Sequence, residues 1–150
     1  MHAALKPLID AHWLDEEPTS PEEIRDLFGL VERRPDEGQG ALKYPDSIFT
    51  LAYGAVLSAA TVLLRAHGVR ARRERHHERT FATLRQMAIP GLSERANYYD
   101  DCRRKRNTLE YDSAGDVSDT EARELVDEAT RFVTAVREWM RHTHSDLLHR

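Results

Sequence analysis

Four cations stand together at Arg103-Arg104-Lys105-Arg106. Residues 70–90 add six basic and two acidic side chains, with His76 and His77 among them. Positive charge is thus gathered in the middle of a chain whose net charge is −4. Arginine stays protonated and can grip two oxygens of one phosphate. A localised basic surface can therefore attract phosphate even on an acidic protein. A solvated helix face gives the same run of charge and is a sufficient account of any single Arg. His76 and His77 follow Arg72, Arg73 and Arg75 and precede Arg79. Imidazole titrates near neutrality, so either could supply a base or grip a phosphate, and a plain basic helix start is the alternative.

Other chemistries find no support. His142, His144 and His149 lie near the C-terminus, but two His one residue apart do not share a helix face. No Cys or acidic ligand set accompanies them, so neither a metal nor a cofactor is expected. There is no P-loop, no Gly-rich dinucleotide fingerprint and no Gly-x-Ser-x-Gly.

Helical geometry singles out Arg106. At about 100° per residue, Tyr99, Cys102, Leu92, Leu109 and Glu110 fall within about 60° of it, whereas Arg104 and Lys105 point elsewhere. An Arg at the centre of an apolar face must be paired or must line a cleft, because an unpaired buried charge is costly. Glu110, one turn on, offers an intrahelical pair at an interface, and a cleft is the other reading.

The elements that must position these residues read as helices. Leu and Ala number 33 against 12 for Val and Ile, a balance that favours helix over strand. Ala3 to Trp13 reads as a first helix, and Asp15 to Ser20 as a polar loop. Ser20-Pro21-Glu22-Glu23 starts a second helix, which Pro35, Gly38 and Gly40 end or kink. Asp46 opens an apolar third helix that runs to His67 and stops at Gly68. A fourth spans Arg75 to Ala88, before Pro90-Gly91. A fifth runs from Ser93 to about Tyr111, followed by a loop from Asp112 to Val117. Ser118-Asp119-Thr120-Glu121 is a capping box for the last helix. That helix spaces Leu125, Ala129, Phe132, Val136 and Met140 on one face. No strand pattern is apparent, and the expected fold is an all-α, antiparallel up-and-down bundle. A chain of 150 residues makes one domain, with residues 1–40 as an N-terminal helical extension.

Cys102 is the only cysteine, which excludes an internal disulfide. Lys6, Asp10 and Asp15 interrupt the first residues, so no signal peptide is expected. Ser47 to Leu64 carries no charge and approaches the lower limit for a membrane span. Thr50, Tyr53, Gly54, Ser58 and Thr61 dilute it, and a buried central helix is the preferred reading. No membrane partner is expected, and the expected compartment is the cytoplasm.

The string Asp101-Cys102-Arg103-Arg104-Lys105-Arg106-Asn107-Thr108-Leu109-Glu110-Tyr111-Asp112 resembles the motif region of the HEPN superfamily. These are small all-α bundles, many of them toxins or defence ribonucleases. Their signature is an Arg followed by a polar residue, then a His four to six residues on. Arg106 and Asn107 match the first half, and Tyr111 stands where the His would be. A branch of small bacterial members carries Arg…(Asp/Glu)-Tyr-Asp, which Glu110-Tyr111-Asp112 resembles. In that branch a short loop and a final helix follow, which Ser118-Asp119-Thr120-Glu121-Ala122 fits. The resemblance covers about residues 45–141, helices three to six, which it implies as the core of the domain.

The resemblance implies Arg106, Asn107 and Tyr111 as catalytic positions. It implies Arg103 and Arg106 on RNA or phosphate, supported by Asp101, Glu110 and Tyr99, and His77 from the basic start of the fourth helix is a candidate to join them. Metal-free RNA cleavage needs a base near neutral pKa and a cation on the phosphorane. Arg106 suits the second role; Tyr111, with an ordinary pKa near 10, does not suit the first. The resemblance further implies a homodimer, with Arg106 and Tyr111 of each chain facing the partner beside Tyr99 and Cys102. A minimal nucleotidyltransferase acting as antitoxin is the implied second partner. Either an RNA-acting protein of toxin–antitoxin or defence type or a non-catalytic nucleotide-binding or interaction module fits this reading.

Overall fold

The charge-free stretch forms the heart of α3 (Pro45–Ala66), on which the other helices assemble. The computed structural model describes residues 3–38, 44–111 and 117–148, without the side chains of 32–38 and 109–111. It is 78% helix and 5% strand, an all-α fold. Around α3 lie α2 (Pro21–Gly38) and α6 (Asp119–Thr143), its two main packing partners. Helices α4 (His76–Met87) and α5 (Ala96–Tyr111) pack on each other and on α3.

Alanines let these neighbours approach closely. Ala52, Ala55, Ala59 and Ala60 are buried on α3, interleaved with Phe49, Val56, Val62, Leu63 and Leu64. This helix is long and apolar enough to cross a membrane, yet most of its apolar window is buried inside the bundle. From α6, Leu125, Phe132, Val136 and Met140 complete the core at helical spacing. That helix starts at a true capping box. Ser118 Oγ accepts from the Glu121 amide, and Glu121 accepts from the Ser118 amide.

The N-terminal segment departs from the expected single helix. A 3₁₀ turn (Ala3–Leu5) leads into a five-residue α1 (Lys6–Asp10), and the helix breaks at His12, where φ is +63°. Residues 14–16, expected to enter a polar loop, instead form β1 (Leu14–Glu16). This strand pairs antiparallel with β2 (Val69–Ala71), Leu14 opposite Ala71 and Glu16 opposite Val69. No strand was expected here because three residues are too few to show alternation; only Leu14, Val69 and Ala71 turn inward. Gly68, at φ +77°, makes the turn from α3 into β2, a conformation that favours glycine. Helix α2 continues through Pro35 as far as Gly38, the last described residue before Tyr44.

Arg65 fastens this ribbon to the bundle. Its side chain is 1% exposed and makes an ion pair with Glu23 at 3.0 Å. It also donates to the carbonyls of Glu17 (3.0 Å), Pro18 (2.9 Å) and Val69 (2.9 Å). Arg70 bonds both Glu17 and Glu23 from the outside, and Arg72 pairs with Asp15 at 2.9 Å. Burial alone would raise the Glu23 pKa. Hydrogen bonds from Thr19, Arg70 and Arg65 outweigh it and hold the carboxyl below its ordinary value.

Candidate functional site

Three helices converge on Tyr53. It lies in the middle of α3, almost fully buried. The hydroxyl sits 3.0 Å from Nδ1 of His77, in the first turn of α4. From α5, the Arg106 guanidinium carbon lies 5.7 Å from the centre of the Tyr53 ring, within cation–π range. Arg106 itself is half-buried, at the edge of the core. Burial pushes the Tyr53 hydroxyl above its ordinary pKa, against the pull of Arg106 and Arg103. Its phenol therefore stays neutral and serves as a hydrogen-bonding and ring support.

An aromatic chain holds this junction rigid. Tyr53 meets Phe81 edge-on at 6.0 Å, Phe81 meets Tyr99 at 5.9 Å, and Tyr99 meets Phe132 at 4.9 Å. Tyr99 donates its hydroxyl to Glu128 on α6 at 2.6 Å. Glu128 in turn is held by Arg131 and Arg95. The face of α5 at Tyr99 and Cys102 packs inside this chain's own core, where both side chains are buried. Burial also pushes the Cys102 thiol up to about 12, which leaves it a weak nucleophile.

The four cations divide. Arg103 pairs with Asp100 at 2.7 Å and with Glu78 at 3.9 Å. Arg104 takes the other oxygen of Asp100 at 2.7 Å and the exposed Asp101 at 2.8 Å. Lys105 reaches Glu121 at 3.7 Å. Asp100, itself buried, thus fixes two arginines at once. Arg106 is the cation of the four that is set over an aromatic ring.

Of the residues singled out in the sequence, Arg106 and His77 meet through Tyr53, and Arg103 flanks them. Asn107 is half-buried one position beyond Arg106. Glu110 and Tyr111 belong to the last turn of α5, but their side chains lie outside the described residues, as does Asp112. The Arg106–Glu110 pair is therefore not described. Tyr53, Asp100 and Glu78 were not anticipated. Tyr53 had one signal, a polar-tipped aromatic in the charge-free stretch Ser47 to Leu64. Asp100 sits three and four residues before the arginines it binds, the spacing of neighbours on a helix face.

The family model described as HEPN_SAV_6107-like HEPN matches residues 41–137, well over half of the chain. The chain belongs to the HEPN superfamily. No curated protein and no solved structure matches it. The match takes in α3, α4, α5 and most of α6, and so contains Tyr53, His77 and Arg106 together. The HEPN region excludes α1, β1 and α2, which Arg65 and the ribbon attach to it.

Proposed function

We propose that this HEPN protein binds RNA, with Arg106 on a backbone phosphate, in the toxin–antitoxin or defence setting that its Arg…Glu-Tyr-Asp motif implies. One observation carries the reading: Arg106 is held over the Tyr53 ring, beside His77, at a half-buried edge where three helices meet. A guanidinium oriented by a buried ring loses little freedom when a phosphate arrives. Within the same reading, two copies assemble and a nucleotidyltransferase antitoxin acts on the assembly in the cytoplasm.

A second reading, metal-independent cleavage, is favoured by the Tyr53–His77 bond. When Nδ1–H of His77 donates to the Tyr53 oxygen, Nε2 is the nitrogen that can accept a proton. It would take the proton of a ribose 2′-hydroxyl as that oxygen attacks the adjacent phosphorus, with Arg106 on the developing phosphorane charge; the P–O5′ bond then breaks, the 5′-oxygen leaves with a proton from the imidazolium or from water, and a 2′,3′-cyclic phosphate remains. His77 then does the work of the His that the motif lacks.

The test is incubation of wild type and Arg106→Ala with total RNA in EDTA, alongside binding measured across a salt series. Salt-sensitive binding lost in Arg106→Ala, with RNA intact, supports the binding reading. Cleavage by wild type but not by Arg106→Ala or His77→Ala supports the second. Binding that is indifferent to Arg106→Ala rejects both.

A further inference from the structure

Arg79 is a charged side chain whose hydrogen bonding the fold leaves incomplete. It lies on α4, about 160° around the helix from His77, and faces the N-terminal segment. Its guanidinium carbon sits 5.1 Å from the ring centre of Trp13, just before β1. Its Nε is buried without a hydrogen-bond partner. Among the described residues no carboxylate pairs with its terminal nitrogens, which remain accessible beyond the Trp13 ring. A half-buried guanidinium in this state is expensive to keep, since a buried donor without an acceptor costs its full desolvation. Asp15, two residues after Trp13, pairs with Arg72, and Glu17 pairs with Arg65 and Arg70.

The surroundings fit a polyanion. Arg73 and Arg75 are exposed on the turn that leads into α4, and Arg75 makes only a 4.0 Å contact with Glu78. His76 and His77 are adjacent, with ring centres 5.8 Å apart. The first turn of α4 thus carries His77 toward Arg106 on one side and Arg79 toward Trp13 on the other. A helix is about 10 Å across, a gap that one extended nucleic-acid strand can bridge.

We infer that a single RNA strand held at Arg106 continues over the first turn of α4 and sets a further phosphate on Arg79. Trp13 is a positioning residue that fixes the plane of that guanidinium. This rests on the RNA-binding reading above and extends it to a residue outside the HEPN match. The N-terminal segment then contributes to binding instead of merely covering the core.

The experiment uses the full chain and a short fluorescein-labelled oligouridylate, with affinity measured by anisotropy over a salt series. Wild type is compared with Arg79→Gln, Trp13→Ala, Trp13→Phe and Arg106→Ala. Arg79→Gln should weaken binding about tenfold and make the slope of log K against log salt shallower by about 0.7, the loss of one phosphate contact to a single strand. Trp13→Ala should weaken binding and Trp13→Phe should restore it, with the melting temperature of each recorded. An Arg79→Gln protein that melts like wild type and binds with unchanged affinity and slope overturns the inference. Loss in Arg79→Gln with none in Arg106→Ala would reject the Arg106 site and leave the Arg79 site standing. Wild type that binds no RNA overturns both.

Discussion

Arg65→Met offers a direct test of how the N-terminal segment is fastened. Methionine roughly preserves the length of the apolar stem but removes every donor. Three carbonyl acceptors, on Glu17, Pro18 and Val69, lose a partner at about 1 kcal/mol each. The bond to Glu23 is charge-assisted and adds roughly 1.5–3 kcal/mol. Arg70 remains beside Glu17 and Glu23 and keeps their charge compensated, which trims the total. The expected loss is about 4 kcal/mol, in line with removal of one member of a buried pair. For a chain of this size that lowers the melting temperature by about 10 °C. Urea unfolding gives the free energy, and limited proteolysis shows whether cleavage moves to the segment before α2. A loss under about 1 kcal/mol, with unchanged proteolysis, would show that the ribbon is held by its apolar contacts and refute the reasoning.

Three further outcomes follow from the geometry. Tyr53→Phe keeps the ring under Arg106 and removes the bond to His77. It should cost about 1 kcal/mol of stability and leave RNA affinity within about twofold of wild type, whereas Tyr53→Leu should weaken binding as Arg106→Ala does. Ser118→Ala removes half of the α6 capping box and should cost about 1 kcal/mol in a thermal melt, without changing RNA binding. Stability should fall in acid through Glu23 and Glu128. Burial acts to raise both, but hydrogen bonds from Thr19, Arg70 and Arg65, and from Arg131 and Tyr99, hold the folded values below the ordinary 4.5. Their contribution is complete above pH 4.5 and is lost as pH falls through the lower folded values. Glu128→Gln should flatten that part of the pH–stability curve, and an unchanged curve would deny Glu128 its share.

Much of the fold was legible because helices announce themselves locally. The capping box at Ser118, the turn at Gly68 and the apolar spacing of α6 each encode a boundary or a face within a few residues. The motif on α5 was legible for the same reason, since Arg106 and Asn107 are sequence neighbours. What escaped depends on contacts far apart in the chain. Strand β1 exists because Val69–Ala71 offers it an edge, and three residues carry no period of their own. Tyr53 lies more than fifty residues before Arg106, so nothing near either one marks their meeting. Asp15, Glu17 and Glu23 looked like loop and helix-start acids, yet they are consumed by Arg65, Arg70 and Arg72. Helical-wheel geometry put Tyr99 and Cys102 on one face of α5, and both side chains are buried in the core.

The packing of α2 also sets an order of events during synthesis. Ile24 and Phe28 are covered by α3, by α6 through Arg137 stacked 4.2 Å over the Phe28 ring, and by the turn Ser145–Leu148. Roughly 120 residues separate Phe28 from Leu148. At about 5–20 residues per second, the ribosome takes on the order of ten seconds to make the last of these partners. During that interval α3 is the one of these partners already made, and the part of the α2 face that Arg137 and the turn Ser145–Leu148 cover stays open. A chaperone that binds amphipathic helices would occupy that part of α2 until α6 and the turn arrive.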